Sequence, residues 1–343
     1  MHQIATATRP ETSAQATTGN AAGRTWRIAL LAAALACALA LPFLVKNFIV
    51  FQMTMALIYA IAILGLNLLT GINGQFSLGH SAFFGVGAYT AAIMMEHMGV
   101  SFYWTLVPAG AVCFVFGVLF GLPALRLEPI YLALATFALA VAMPQILKLS
   151  IFEGWTGGVQ GIVIIKPDAP FNLPLSADQW FYFVTLAIGI VLTVCAVNLV
   201  NSRTGRALIA IRDNPIAARS MGVDISLYKT VTFGVSALYT GVAGALSAVV
   251  VQFVAPDSFT FVLAVGLFVG LVVGGVGSIW GCLFGGLFVL FVPHIAESVS
   301  KGLAGAVYGV ILLLVIYVMP SGMAGLVRLL VSRLGRTGRQ SGR

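Results

Sequence analysis

Charge is what this chain has least of. Only 8% of its 343 residues are Asp, Glu, Lys or Arg, whereas soluble domains carry about 25%, so a surface bathed in water on all sides is excluded. Segments of roughly ten residues alternating apolar and polar are missing too, which removes a transmembrane β-barrel. Cysteine is scarce: Cys37, Cys113, Cys195 and Cys282 lie far apart inside apolar runs, with neither metal-ligand spacing nor a disulfide framework, and read as small hydrophobic residues. None of Lys46, Lys148, Lys166, Lys229 and Lys301 follows a glycine, so no Walker A nucleotide loop exists in this chain. Paired catalytic carboxylates and metal clusters are absent as well, and the chain is read as a non-enzyme.

What fills the chain instead is apolar: 60% of residues are hydrophobic. Runs of about twenty residues, the length of a membrane-spanning helix, fall at 28–45, 48–70, 78–98, 103–124, 130–150, 180–200, 231–253, 260–277, 281–298 and 303–320. The fold class is therefore all-α, a polytopic transmembrane bundle of about ten spans within a range of eight to ten. The run 28–45 follows Arg24 and Arg27 as a signal peptide would, but it lacks a clear cleavage site and a second run follows at once, so it is read as a span.

The net charge of +8 invites a nucleic-acid reading, yet the basic residues sit in short loops and tails rather than on one soluble face. With the N-terminus inside, Arg9, Arg24, Arg27, Arg126, Arg203, Arg206, Arg212, Arg219, Lys229, Arg328, Arg333, Arg336, Arg339 and Arg343 are cytoplasmic, leaving Lys46, Lys148, Lys166 and Lys301 outside. That asymmetry obeys the positive-inside rule and places both termini in the cytoplasm. Residues 1–27 then form a disordered cytoplasmic tail, 28–325 a transmembrane domain and 326–343 a basic cytoplasmic tail. Span 78–98 carries Gly79, His80, Gly85, Gly87, Glu96 and His97; parity favours a crossing over a segment that enters and leaves on one side. The outer stretch 151–179, with Trp155, Gly157, Gly158, Pro167, Pro170 and Pro174, suits a cap facing an extracytoplasmic partner or a plain connector. Glu96, Glu153, Asp168, Asp178, Asp257 and Glu297 face outward, either as solvated charges or as partners for a basic docking protein.

The cytoplasmic loop 201–230 reads as two short helices joined at a corner. Thr204 can cap the first; Asn214 can cap the second with Pro215 in its first turn, and Gly222 supplies a left-handed stop. Ala217, Ala218 and Met221 offer a small or deformable face ringed by Arg206, Arg212 and Arg219. Ala217, Ala218 and Gly222 keep the spacing of the coupling loop of ATP-binding-cassette (ABC) importers, although Ile216 replaces its usual glutamate. The wider string, Gly205-Arg206-Ala207-Leu208, Ala210-Ile211-Arg212-Asp213-Asn214 and Ala217-Ala218 to Met221-Gly222, resembles the branched-chain amino acid ABC permease family, in its LivM-like branch. So do Gly65 to Tyr89, Gly274-Gly275-Val276-Gly277-Ser278-Ile279-Trp280-Gly281, and Met319-Pro320-Ser321-Gly322 with Gly325-Leu326. The similarity covers roughly residues 50–330.

This resemblance implies a permease subunit of the bacterial inner membrane that moves Leu, Ile, Val or a similar solute by alternating access. It implies two ABC ATPase subunits that bind ATP and Mg, a second homologous (LivH-like) permease, a periplasmic solute-binding protein, and no cofactor or nucleic acid on this chain. Gly205, Arg206, Arg212, Asp213, Asn214, Ala217, Ala218 and Gly222 would meet the ATPase. Relatives that carry urea, short amides or aromatic acids keep the substrate open. For the translocation path the residues are Asn67, Gln75, Ser77, His80, Gly274 and Gly277, polar or small groups at membrane depth; tight helix packing explains the glycines equally well, and His80 suits an interhelical hydrogen bond. The glycine hairpins around 71–79 and 274–281 share an orientation, a hint of internal duplication. An ion-coupled secondary transporter is the rival of another class; it needs an intramembrane carboxylate, and the spans hold only Glu96 and Glu297, at their outer ends.

Overall fold

The computed structural model describes residues 32–33, 35–124, 128–169, 174–299, 301–319 and 322–326. The tail 1–27, Arg126 and all but Leu326 of the tail 326–343 lie outside the described residues. The chain divides after Val50 into two units. The first contains the apolar helical stretch α1, Leu35–Leu44; residues 28–31 and 34 of the expected span 28–45 lie outside the described residues.

The main unit is built on α2 (Asn47–Leu66, entering from the first unit), which runs on as a π-helix over Asn67–Ile72. There follow α3 (His80–Met98), α4 (Phe102–Ala124), α5 (Pro129–Leu147), the short α6 (Ser150–Thr156), strand β1 (Ile162–Val163) and α7 (Ala177–Asn201). Two short helices, α8 (Arg203–Asp213) and α9 (Pro215–Ser220), lead into α10 (Ile225–Val251). Strand β2 (Phe253–Val254), a 3₁₀ turn (Pro256–Phe259), α11 (Phe261–Gly274), α12 (Gly281–Val299) and α13 (Ala304–Val318) complete the order. Among the described residues, eight helical stretches are long and apolar enough to cross a membrane: 47–72, 102–123, 130–147, 177–201, 225–251, 256–274, 281–299 and 304–326.

The least apolar candidate, α3, occupies the middle of the bundle. Along its length His80 meets Ser236, Gly87 meets the backbone of Gly241 and Ala91 packs with Ala245, the same order on both helices, so α3 runs parallel to α10. Its far end places His97 against Gly154 and Trp155 of α6. Residues 73–79 lead into α3 as irregular chain, and α3 then runs alongside α10. Its low hydropathy follows from this position: a helix enclosed by protein has no lipid to match.

Small residues set how closely the helices approach. A Cβ at Gly87 would strike the Gly241 carbonyl, one at Gly244 the Phe84 carbonyl, and one at Gly274 the Gly281 carbonyl. Near the outer ends, β1 pairs antiparallel with β2, Ile162 opposite Val254. Lys148 bonds Asp257 at 2.6 Å and Lys166 bonds Asp178 at 2.5 Å, so two of the six outward acids already have partners within the chain. The polar run 151–179 is thus partly folded, and α10 starts at Ile225 rather than 231 because the Asp224 carboxylate caps it, accepting from the Leu227 N–H.

Candidate functional site

The loop between α7 and α10 is assembled from local signals. Ser202, in extended conformation, caps α8 by accepting the Gly205 N–H; the expected cap, Thr204, lies one residue inside the helix, where its backbone is already helical. Gly205 is needed at this corner because a Cβ there would strike the Val200 carbonyl. Leu208 and Ile211 are buried while Arg206 points outward, and the Arg212 side chain lies back against Gly71 and Gly74. At the second corner Asn214 Oδ1 accepts from the N–H groups of both Ile216 and Ala217 at 3.1 Å, Pro215 opens α9, and Gly222 turns the chain out at φ +81. Ala218 faces inward, leaving Ile216 and Met221 80% and 85% exposed beside Arg219.

The residues expected on the path form a second assembly, and all are buried or held in the backbone of a turn. Asn67, fully enclosed in the π-helix, accepts the Gly277 N–H through Oδ1 at 2.8 Å and donates from Nδ2 to Cys282 Sγ at 3.5 Å. Gly277 adopts φ +79 and Gly275 φ +112 in the turn between α11 and α12, conformations that suit glycine. Gly274 packs on Gly281. Gln75 Oε1 accepts from Asn73 Nδ2 at 2.8 Å, and its carbonyl accepts from Thr70. Asn73 Oδ1 is buried without a hydrogen-bond partner among the described residues.

His80 closes a chain of bonds. The Ser236 hydroxyl donates to the Gly65 carbonyl at 2.6 Å, so its single proton is committed and His80 Nε2 donates to Ser236 at 2.7 Å. The other ring nitrogen, Nδ1, then accepts from Ser77 at 3.1 Å. Residues 65, 77, 80 and 236 are joined in this way across α2, α3 and α10, and the ring also packs edge-on against Phe83.

The two glycine hairpins, separated by some two hundred positions, meet through Asn67 and Gly277, and Phe76 approaches Phe268 at 6.3 Å. Sequence reasoning missed four members. Cys282, read as a small hydrophobe, also donates to the Ser278 carbonyl. Ser236 and Thr136 carry a weak signal, a hydroxyl inside an apolar helix, which Ser236 shares with Thr232, Thr240 and Ser247 of the same helix; Thr136 accepts the Leu78 N–H at 2.9 Å. The fourth is the Gly71 carbonyl, which accepts from Arg212 Nη1 at 2.9 Å, a side-chain-to-backbone bond with no sequence signature. Beside this assembly an apolar cleft of about 190 Å³ opens between α2, α7 and the start of α12, lined by Leu64, Gly189, Thr193, Trp280, Cys282 and Leu283 among others. Thr193 donates its hydroxyl to Gly189, so that side chain is spoken for.

Comparison with known proteins fits this arrangement of apolar helices. The high-affinity branched-chain amino acid transport system permease protein LivM of Salmonella typhimurium is 32% identical, covering 87% of this chain and 75% of that protein. LivM of Escherichia coli is 31% identical with the same coverage. The permease protein LivH of Salmonella typhimurium is 26% identical over 79% of this chain and 92% of its own length. Residues 48–316 match the family described as branched-chain amino acid transport system, permease component, and this multi-pass helical membrane protein belongs to that family.

Proposed function

We propose that the chain is one of two different permease subunits of an ATP-driven importer in the inner membrane, carrying Leu, Ile, Val or a closely similar amino acid inward. The observation that carries this reading is the loop 202–222: a short helix capped at both corners that presents Ile216 and Met221 to solvent. Exposed apolar side chains beside a charged Arg219 have the composition of an interface core with a polar rim. ATP and Mg belong to separate ATPase subunits seated on this loop, a solute-binding protein delivers substrate from the outer face, and this chain does no covalent chemistry.

The chemistry of the interior supports a second permease. An amino acid brings an ammonium and a carboxylate that need polar partners when desolvated. Asn67, Ser77 and His80 have theirs inside the chain, and the open cleft is apolar. A path closed between two permease chains supplies what one alone lacks, and relatives of both LivM and LivH type match this sequence.

The test is uptake into vesicles holding both permeases and both ATPases, with binding protein on the substrate-facing side. Labelled leucine should accumulate with ATP after ion gradients are collapsed, and not without ATP; the reverse dependence would establish ion coupling instead. Competition by urea, acetamide and phenylalanine sorts the substrate: leucine uptake that yields to isoleucine and valine alone supports the branched-chain reading, and preferential competition by one of the others replaces it.

A further inference from the structure

Arg212 stands among residues expected to touch the ATPase, yet its guanidinium faces the other way. Nε and Nη2 each lie 3.0 Å from Asp213 Oδ1, and Nη1 donates to the Gly71 carbonyl at 2.9 Å. Asp213 holds the fork flat and aims its remaining donor at the π-helix. Gly74, at φ +76, leaves the space in which the arginine stem lies: a Cβ there would come within 2.6 Å of Arg212 Cγ.

Gly71 touches the next element as directly. A Cβ on Gly71 would collide with Asn67 Oδ1 and approach Gly277 N at 2.5 Å. One residue therefore meets the cytoplasmic guanidinium with its carbonyl and the α11–α12 turn with its Cα. Asn67 continues the linkage to Gly277 and Cys282, and thus to the first turn of α12.

The intervening element is a π-helix, a rare geometry that recurs at functional sites and can revert to α by a one-residue change of register. Its exit holds the unsatisfied Asn73 Oδ1, so the present arrangement leaves one buried acceptor that another register could serve.

We propose that Arg212 is a transmission residue: displacement of α8 and α9 by the ATPase is passed through its bond to Gly71 into the π-helix Asn67–Ile72, and through Asn67 to the turn at Gly277. It positions the transmembrane segment and does not anchor the ATPase. The proposal rests on the importer reading above.

The experiment uses the full complex in proteoliposomes, with Arg212→Lys. Lysine keeps the charge but cannot hold Asp213 and Gly71 together. ATPase co-purification and ATP hydrolysis should stay within about twofold of wild type while leucine moved per ATP falls about tenfold, inside the range of about 5- to 150-fold typical of a coupling between sites. Unchanged transport per ATP would overturn the proposal, and loss of co-purification would overturn it by making Arg212 an anchor. Where Arg212→Lys fails to accumulate, Asp213→Asn leaves the bond to Gly71 but loosens its aim; it should reduce transport per ATP less severely, and an unaltered ratio counts against transmission. A wild-type complex without ATP-driven uptake would instead remove the importer reading, so the two failures are told apart.

Discussion

The loop 202–222 and the polar assembly around Asn67 solve opposite problems with the same kinds of side chain. In the loop and at its exit, Ser202, Asn214 and Asp224 each satisfy backbone N–H groups two or three residues away. Around Asn67 the partners are distant: residue 67 reaches 277 and 282, and 80 reaches 236. Water can replace the exposed caps at Asn214 and Asp224. It cannot replace those in the bundle, where a lost partner leaves a polar group in an apolar interior. The loop is thus free to change its surface, while the interior assembly has to be kept or exchanged as a unit.

The largest separation between the regions should come from Ile216→Asp combined with Met221→Asp. Both side chains are exposed, so bundle stability should not change, but each buries about 1.5–3 kcal/mol of apolar contact if a partner covers it. ATPase co-purification is expected to fall at least about a hundredfold and uptake to background, with an unaltered melting temperature in detergent. A lowered melting temperature would show the loop to be part of the fold, and intact co-purification would remove it from the interface.

Asn67→Leu is the counterpart in the interior. It orphans the Gly277 N–H and frees Cys282, and an unsatisfied buried donor costs about 1–3 kcal/mol. Thermal unfolding in detergent should begin several degrees lower while the ATPase still co-purifies in the cold. An unshifted midpoint would mean that water reaches the turn.

Legibility in the sequence follows the same division. The spans were readable because a lipid-facing helix needs about twenty apolar residues, and the second corner of the loop because Asn-Pro and a terminal Gly have local causes. Thr204 was an error of two positions against Ser202, typical where two hydroxyls flank a helix start. Asn67 and His80 could be recognised as polar residues at membrane depth, and Gly274 and Gly277 as small residues that allow close approach. Which polar group meets which turn depends on how α2, α10 and α11 cross, and no local pattern encodes that. The gap between the runs 48–70 and 78–98 was readable, but the π geometry over Asn67–Ile72 was not, for a related reason: its partners, Gly277 and Arg212, come from outside the segment.

His80→Phe should have a smaller effect than Asn67→Leu. The ring keeps its contact with Phe83, and Ser236 keeps its bond to the Gly65 carbonyl, so what is lost is one interhelical bond and the Ser77 contact. Hydrogen bonds between membrane helices are worth about 0.6–2 kcal/mol each. In a double-mutant cycle with Ser236→Ala the two losses should be less than additive, read as detergent unfolding free energies; strict additivity would show that the 2.7 Å contact carries no energy.

The smallest effect belongs to Asn214→Ala, which removes the cap of a six-residue helix at the surface. Two N–H groups lose their acceptor, but water takes its place, so the cost is about 1 kcal/mol and confined to α9. Hydrogen exchange at Ile216 and Ala217 should quicken about fivefold, transport should fall by a similar factor because the coupling helix frays, and global unfolding should stay unchanged. Asn214→Asp, which still presents an oxygen to both amides, should restore exchange and transport together. If Asp restored exchange but not transport, the amide of Asn214 would be touching the ATPase, and the cap would be only half of its task.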